Sequence, residues 1–236
     1  MQITKVTQDL LVNFTRINPS VLINPGNVIS TISPAKNILA RAEVSEKFDH
    51  QICIYDLSQF LSIAKQSIFE GAEYNFYEKY VDIKKEDWSV TYNYASPSTI
   101  IVPPNKLPDM PEADIQVRIE EDTLKNVLNM SNILHKDDIS INSDGDKINI
   151  SVIDKSDSSS NSYSSFLGDG NGSVFNMFFK KESLMILPGT YDVSLSGKFI
   201  SHFEHDDGDL QYWIALEQDS EYSEPVSDDT PPWDEE

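Results

Sequence analysis

Few residues in this chain have the types needed for catalysis or metal binding, and their spacing argues against both. His202-Phe203-Glu204-His205-Asp206-Asp207 gathers metal-ligand side chains, but its spacing matches no zinc pattern and reads as a charged surface loop. Asp169-Gly170-Asn171-Gly172 opens like a calcium loop, yet Val174 stands where that loop needs glycine and Lys180 where it needs its closing glutamate. The single cysteine, Cys53, lies in an apolar run and reads as a buried thiol, with no second cysteine for a disulfide or a multi-cysteine zinc site. No glycine-rich phosphate loop and no nucleophile elbow is present in the sequence. The expectation is a protein without enzymatic activity, cofactor or metal.

The remaining chemistry is charge and its placement. Eighteen Lys and Arg stand against 39 Asp and Glu, a net charge of −21 over 236 residues. Taken alone, that balance disfavours a nucleic-acid partner. The negative charge is uneven, however. Asp219 to Glu236 holds eight carboxylates, three prolines and no Lys or Arg, and its composition reads as a disordered acidic tail. Four helices are expected where apolar residues recur at helical spacing. In Thr4–Ile17, residues Ile3, Val6, Leu10, Phe14 and Ile17 share a face, and Asn18-Pro19 ends the run. In Leu57–Ser67, capped by Asp56, the inward set is Leu57, Phe60, Leu61, Ala64 and Ile68. Glu121–Leu134 turns Leu124, Val127, Leu128, Ser131 and Leu134 inward, and a short helix over Lys181–Leu187 stops at Pro188-Gly189.

The outward faces of these helices are neutral to basic. Lys5, Val12 and Arg16 form one stripe, with Asp9 inside it; Ser58, Ser62 and Lys65 form a second; Lys125, Asn129, Asn132 and Lys136 form a third. Lys180 and Lys181 stand at the start of the fourth helix. Such stripes read either as ordinary solvated faces or as a basic surface segregated from acidic sheets, which matters because screening acts over about 8–10 Å.

Everything else reads as strands and turns. Asn24-Pro25-Gly26-Asn27 and Ser143-Asp144-Gly145-Asp146 are turn signals. Ile139–Ile141, Ile148–Val152, Tyr191–Leu195 and Leu210–Leu216 carry strand patterns, and Ser156–Ser165 reads as a serine-rich loop. Five of the twelve prolines fall in 97–111, so that stretch reads as an extended connector. The organisation expected is residues 1–96 as an N-terminal domain, 97–111 as connector, 112–218 as a C-terminal domain and 219–236 as tail. Both halves run helix, strands, helix, strands, an α+β duplication seen in pattern rather than identity. The longest apolar runs are too short to span a bilayer and the N-terminus lacks a secretory pattern, so no membrane role and a cytosolic setting are expected.

Several ordered segments carry a family resemblance. They are Asp9-Leu10-Leu11-Val12-Asn13-Phe14 with Ile17-Asn18, then Ile54-Tyr55-Asp56-Leu57-Ser58-Gln59-Phe60-Leu61. Pro97-Ser98-Thr99 with Pro104-Asn105-Lys106, Pro188-Gly189-Thr190-Tyr191, and Ala215-Leu216-Glu217-Gln218-Asp219-Ser220 follow. Over about residues 1–220 the chain resembles the sliding clamps of T-even-like bacteriophages, which are DNA polymerase processivity factors. The resemblance implies two similar clamp domains per chain and a head-to-tail homotrimeric ring, with helices lining the hole and antiparallel sheets outside. It implies non-specific, topological holding of double-stranded DNA, with a DNA polymerase and an ATP-using clamp loader as partners. It further implies activation of late transcription through the host RNA polymerase with phage late-transcription factors, in the cytoplasm of an infected bacterium.

On this resemblance the DNA-facing residues are Lys5, Arg16, Lys65, Lys125, Asn129, Asn132, Lys136, Lys180 and Lys181. Asn129 and Asn132 stand where the family has arginine, and Val12 where it has lysine, so the hole is expected to be less positive than in relatives. Val102, Pro104, Leu107, Trp213 and Leu216 are the expected groove for a partner's hydrophobic peptide, with core packing as the other reading of Trp213 and Leu216. From about Tyr222 the tail runs past the family's usual end, and it reads either as a segment whose Trp233 engages a partner or competes for the groove, or as a plain solubilising tail. The contrasting expectation is an acidic structural or DNA-mimicking interaction protein that forms no ring.

Overall fold

The computed structural model describes residues 1–104, 106–108 and 110–223. The chain divides into two compact units. Unit 1 comprises Met1–Met110, Met185–Gly189 and His202–Ile214, and unit 2 comprises Pro111–Leu184, Thr190–Ser201 and the chain from Ala215 onward. In chain order the first elements are α1 (Lys5–Phe14), β1 (Val21–Ile23), β2 (Gly26–Ile32), β3 (Ile38–Phe48), β4 (Ile52–Ile54), α2 (Leu57–Ala64), β5 (Glu73–Phe76), β6 (Tyr80–Lys85) and β7 (Trp88–Asn93). There follow β8 (Ile115–Ile119), α3 (Glu121–Leu134), β9 (Asp138–Asp144), β10 (Lys147–Ile153), β11 (Tyr163–Asp169) and β12 (Val174–Lys180). The last are β13 (Tyr191–Ser196), β14 (Ile200–His205), β15 (Leu210–Ala215) and β16 (Glu221–Ser223). The pairings of β1 with β4, β3 with β2 and β15, β6 with β5 and β7, β8 with β13, β9 with β10 and β12, β10 with β11 and β12 with β16 are all antiparallel, as expected for an α+β chain.

In unit 1, β3 is flanked by β2 and β15, with Leu39 opposite both Ile32 and Trp213. A three-stranded sheet runs β5-β6-β7, and β1 pairs β4. The buried centre holds Phe14, Ile29, Ile52, Leu57 and Ile83. Helix α2 follows its expected start: the Asp56 carboxylate accepts from Gln59 N at 2.8 Å, which satisfies one of the helix's free N–H groups.

Helix α1 departs from its expected orientation. Leu10, Phe14 and Ile17 are buried, but Val6 is 75% exposed, and Thr7, Leu11 and Asn13 take the inward positions. Two polar residues turn the helix because each finds partners inside. Thr7 Oγ1 donates to Glu46 Oε2 at 2.6 Å. Asn13 Nδ2 donates to Met185 O at 3.0 Å, while Asn13 Oδ1 accepts from the Tyr212 hydroxyl at 3.0 Å. A buried polar group with good partners costs little, so apolar spacing alone misjudged the face. Ile68 likewise is 43% exposed, because α2 stops at Ala64 and Ile68 belongs to a 3-10 turn over Ser67–Phe69.

In unit 2, a five-stranded sheet runs β11-β10-β9-β12-β16, and β8 pairs β13. Helix α3 has the expected bounds, buries Leu124, Val127 and Ser131, and ends where His135 takes φ +53°. Three expectations fail here. The fourth helix over Lys181–Leu187 is only a 3-10 turn over Lys181–Leu184, since so short a segment forms too few bonds to offset nucleation. The serine-rich loop ends early, at β11, after Asp154 and Asp157 close turns onto Ser156 N and Ser159 N at 3.0 and 2.9 Å. Glu221–Ser223, placed in the tail by composition, form β16.

The loop at Asp169–Gly172 has a packing reason for its glycines. A methyl group at Gly170 would lie 2.3 Å from Gly145 O, because the two turns of neighbouring strand pairs press together there. Gly145 itself has φ +101°, and Asp144 Oδ1 accepts from Asp146 N and Lys147 N at 3.1 Å to close the β9–β10 turn.

Candidate functional site

The nine residues expected to face DNA differ in how free their charge is. In unit 1, Lys5 Nζ lies 2.6 Å from Asp9 Oδ1, one turn along α1, with both side chains largely exposed. Arg16 and Lys65 are exposed, and each follows the end of a helix, Lys65 as the C-cap of α2. The last carbonyls of a helix carry partial negative charge, so a cation is favoured at both places. Helices α1 and α2 pack on each other.

In unit 2, Lys125, Asn129 and Asn132 lie exposed on α3. Lys136 falls beyond the helix, since the left-handed His135 breaks the stripe; its Nζ lies 2.7 Å from Asp154 Oδ2. That bond, with others from Ser156, holds Asp154 well below the usual carboxylate range. Lys180 is the last residue of β12 rather than a helix start, 2.6 Å from Asp138 Oδ1. Lys181 opens the 3-10 turn, 2.7 Å from Asp137 Oδ1. These bonds push both lysines up, so both stay charged at neutral pH. Arg16, Lys65 and Lys125 form no ion pair among the described residues. They are the cations of the set most available to a phosphate.

The five expected groove residues do not converge on one cavity. Val102, Pro104 and Leu107 line a cavity of about 690 Å³ in unit 1, together with Leu22, Pro25, Val28 and Arg41. Asn18, read from sequence only as a helix stop, positions this wall. Its buried side chain donates to Ile32 O at 2.9 Å and to Ile101 O at 3.2 Å, which ties the start of the proline-rich stretch to β2. Trp213 is 6% exposed in β15, with its ring stacked on His202 at 4.7 Å. Leu216 is 5% exposed in unit 2, its N–H donating to Phe199 O at 2.9 Å. Sequence reading missed Leu22 and Val28, whose only signal was flanking the Asn24–Asn27 turn, and Arg41, which pairing of β2 with β3 brings to the same wall. Trp233 lies outside the described residues.

The other chemistry-bearing residues have structural surroundings. Strand alternation sends His202 and Glu204 to one face of β14 and Phe203 and His205 to the other. Burial lowers the His202 pKa and keeps it neutral, with Nε2 3.4 Å from Gln211 Oε1. Burial pushes the Cys53 thiol up. Among the described residues, no group of three or more His, Cys, Asp or Glu is placed to hold a metal ion, and no helix is long and apolar enough to cross a membrane.

Comparison with known proteins matches both halves. Residues 3–102 match the family model for a DNA polymerase processivity factor, and residues 116–218 match that for the gp45 sliding clamp, C terminal. The chain is 33% identical over 228 residues to the sliding clamp of Escherichia phage RB69, covering 93% of this chain and 98% of that one. It is 30% identical over 226 residues to the sliding clamp of Enterobacteria phage T4, with the same coverage. The sliding clamp of Vibrio phage KVP40 is 29% identical over 223 residues, covering 92% of this chain and 99% of that one. Among solved structures, A. fulgidus PCNA bound by the C-terminal region of FEN-1 is similar, with TM-score 0.66, 16% identity and coverage of 92% and 96%. Proliferating cellular nuclear antigen from Entamoeba histolytica has TM-score 0.64 at 12% identity, covering 89% and 94%. At such identity these two speak to fold alone, and the fold is that of two clamp domains in one chain.

Proposed function

The chain belongs to the sliding-clamp family of DNA polymerase processivity factors, which are non-enzymatic accessory proteins, and from that premise we propose that three copies close head-to-tail into a ring around duplex DNA. Heterologous contacts that close on themselves give rings, and a threaded ring needs no tight grip. Strong phosphate contacts would add friction to sliding and make retention depend on salt. The observation that carries the reading is the sparse free charge: among the described residues Arg16, Lys65 and Lys125 form no ion pair, on or beside helices in a chain of net charge −21. Repeated by symmetry, a few such cations centre a duplex, while the acidic remainder discourages DNA from binding elsewhere.

In this reading a clamp loader using ATP opens the ring at a primer–template junction in the cytoplasm of an infected bacterium. The polymerase then docks a short hydrophobic peptide in the cavity beside Val102, Pro104 and Leu107. Residues 97–111 serve as the connector between the two domains. Late-transcription factors acting with the host RNA polymerase use the same mobile platform. The test is loader- and ATP-dependent extension of a primed template by the cognate polymerase, paired with release of the loaded protein from circular and linearised DNA. Faster loss from the linear form is expected. Equal loss from both excludes threading.

A further inference from the structure

The segment matched to the family in unit 2 ends at residue 218, and the residues just beyond it cover a sheet edge. Strand β12 pairs β9 on one side and only β16 on the other. Glu217 N donates to Phe178 O at 2.9 Å, and Phe178 N donates to Ser220 Oγ at 2.9 Å. Asp219 Oδ2 lies 2.8 Å from Lys155 Nζ, which also stands 5.0 Å over the Phe178 ring. The chain then runs antiparallel to β12, with Tyr222 opposite Phe175. The attachment is short: three paired residues, of which Glu221 and Ser223 are exposed, the two hydrogen bonds with Phe178, and the Lys155 ammonium shared by the Glu217 and Asp219 carboxylates.

Beside β16 lies a cavity of about 470 Å³, lined by Met177, Gly197, Phe199 and Ser220–Ser223. A methyl group at Gly197 would sit 3.4 Å from the Tyr222 ring, an ordinary contact distance, so the turn and the aromatic lie side by side. Phe199 has φ +64°, a conformation a bulky residue rarely adopts, and is 43% exposed. The turn is braced from below, with Gly197 N donating to Asp114 Oδ2 at 2.7 Å and Ser196 Oγ to the same oxygen at 3.1 Å. The fold therefore maintains a half-exposed phenyl ring, a methionine and room for a side chain larger than tyrosine next to an edge strand.

We propose that the β16 side of β12, with this cavity, is a strand-addition site for an extended protein segment bearing a bulky aromatic among acidic and hydroxyl residues, and that β16 is its resident, displaceable occupant. The resident defines the partner's chemistry. Backbone pairing supplies affinity, the aromatic fills the space beside Met177 and Phe199, and a carboxylate meets Lys155. Exposed Lys198 on the adjoining turn adds charge complementarity. The inference goes beyond clamp function and does not depend on ring closure.

The test uses a fluorescein-labelled synthetic peptide of residues 217–225 and fluorescence anisotropy. In the full chain β16 competes at an effective concentration on the order of 1 mM, so a chain truncated after Gln218 is expected to bind the peptide at least about tenfold more tightly. A peptide carrying Tyr222→Ala is expected to lose that gain, and one carrying Tyr222→Trp to bind more tightly. Full-length Tyr222→Ala keeps the chain intact and is expected to bind the unchanged peptide about fivefold more tightly than the parent chain does. Equal binding to parent, truncated and Tyr222→Ala chains overturns the proposal, as does tighter binding of a peptide of residues 226–236, which would assign the site to the tail.

Discussion

Removing the charge of Lys125 tests how the ring would hold DNA. Of the nine residues assigned to the DNA-facing set, Lys5, Lys136, Lys180 and Lys181 each have a carboxylate oxygen within 2.6–2.7 Å. Asn129 and Asn132 are neutral, which leaves Arg16, Lys65 and Lys125. Each phosphate neutralised on duplex DNA contributes about 0.9 to the slope of log affinity against log salt concentration. In the proposed three-copy ring Lys125→Ala removes one free cation from each copy, so the slope shrinks by up to about 2.7. Between about 50 and about 200 mM salt the parent then loses up to about 40-fold more affinity than the variant. The control is Lys136→Ala, whose ammonium is engaged by Asp154 and is expected to leave the slope nearly unchanged. The assay is equilibrium binding of a short labelled duplex over a potassium chloride series, with scattering mass measured alongside to confirm equal assembly. A slope that Lys125→Ala leaves untouched, or that Lys136→Ala lowers as much, would refute the assignment of free and engaged cations.

Three further outcomes are expected. Glu46→Ala should destabilise the chain by about 2–4 kcal/mol in thermal or urea unfolding, since the carboxylate accepts from Thr4 N and Thr7 Oγ1, both at 2.6 Å. Burial alone would raise the Glu46 pKa, but those bonds outweigh it and hold it below the usual value. Its contribution is therefore complete above the unfolded value of about 4.3 and fades as pH falls through the folded one, so parent and variant melting temperatures should converge in acid. Gly170→Ala should cost about 2–4 kcal/mol in the same measurement, because the new carbon meets backbone that cannot yield without moving a turn. Leu107→Asp should cut polymerase stimulation on primed templates at least about tenfold with the parent's scattering mass retained; unchanged stimulation would remove the cavity from partner binding.

The local features were legible before any fold was known. The bounds of α3, the Asp56 cap, the turn at Gly145 and the strand patterns in β9, β10, β13 and β15 follow from side-chain spacing, capping chemistry and backbone freedom within a few residues. The family resemblance rested on ordered local segments too, and the matched relatives place it in the same family. By contrast, the Val6 side of α1 could not be read from spacing, because Glu46, Met185 and Tyr212 lie far along the chain from the Thr7 and Asn13 groups they satisfy.

By itself the sequence determined which residues could carry charge or bury a ring, where helices and turns could begin, and that the acidic balance is uneven. Only the tertiary structure decided which charges remain available. Lys180 meets Asp138 and Lys181 meets Asp137 across 42 and 44 residues of chain, and such pairings depend on strand register rather than on local pattern. The same holds for the wall that Asn18 ties down beside Val102 and for β16 on the edge of β12. Each joins groups whose separation along the chain says nothing of their distance in space, because hydrophobic burial sets the packing and polar partners are then chosen from whatever it brings together.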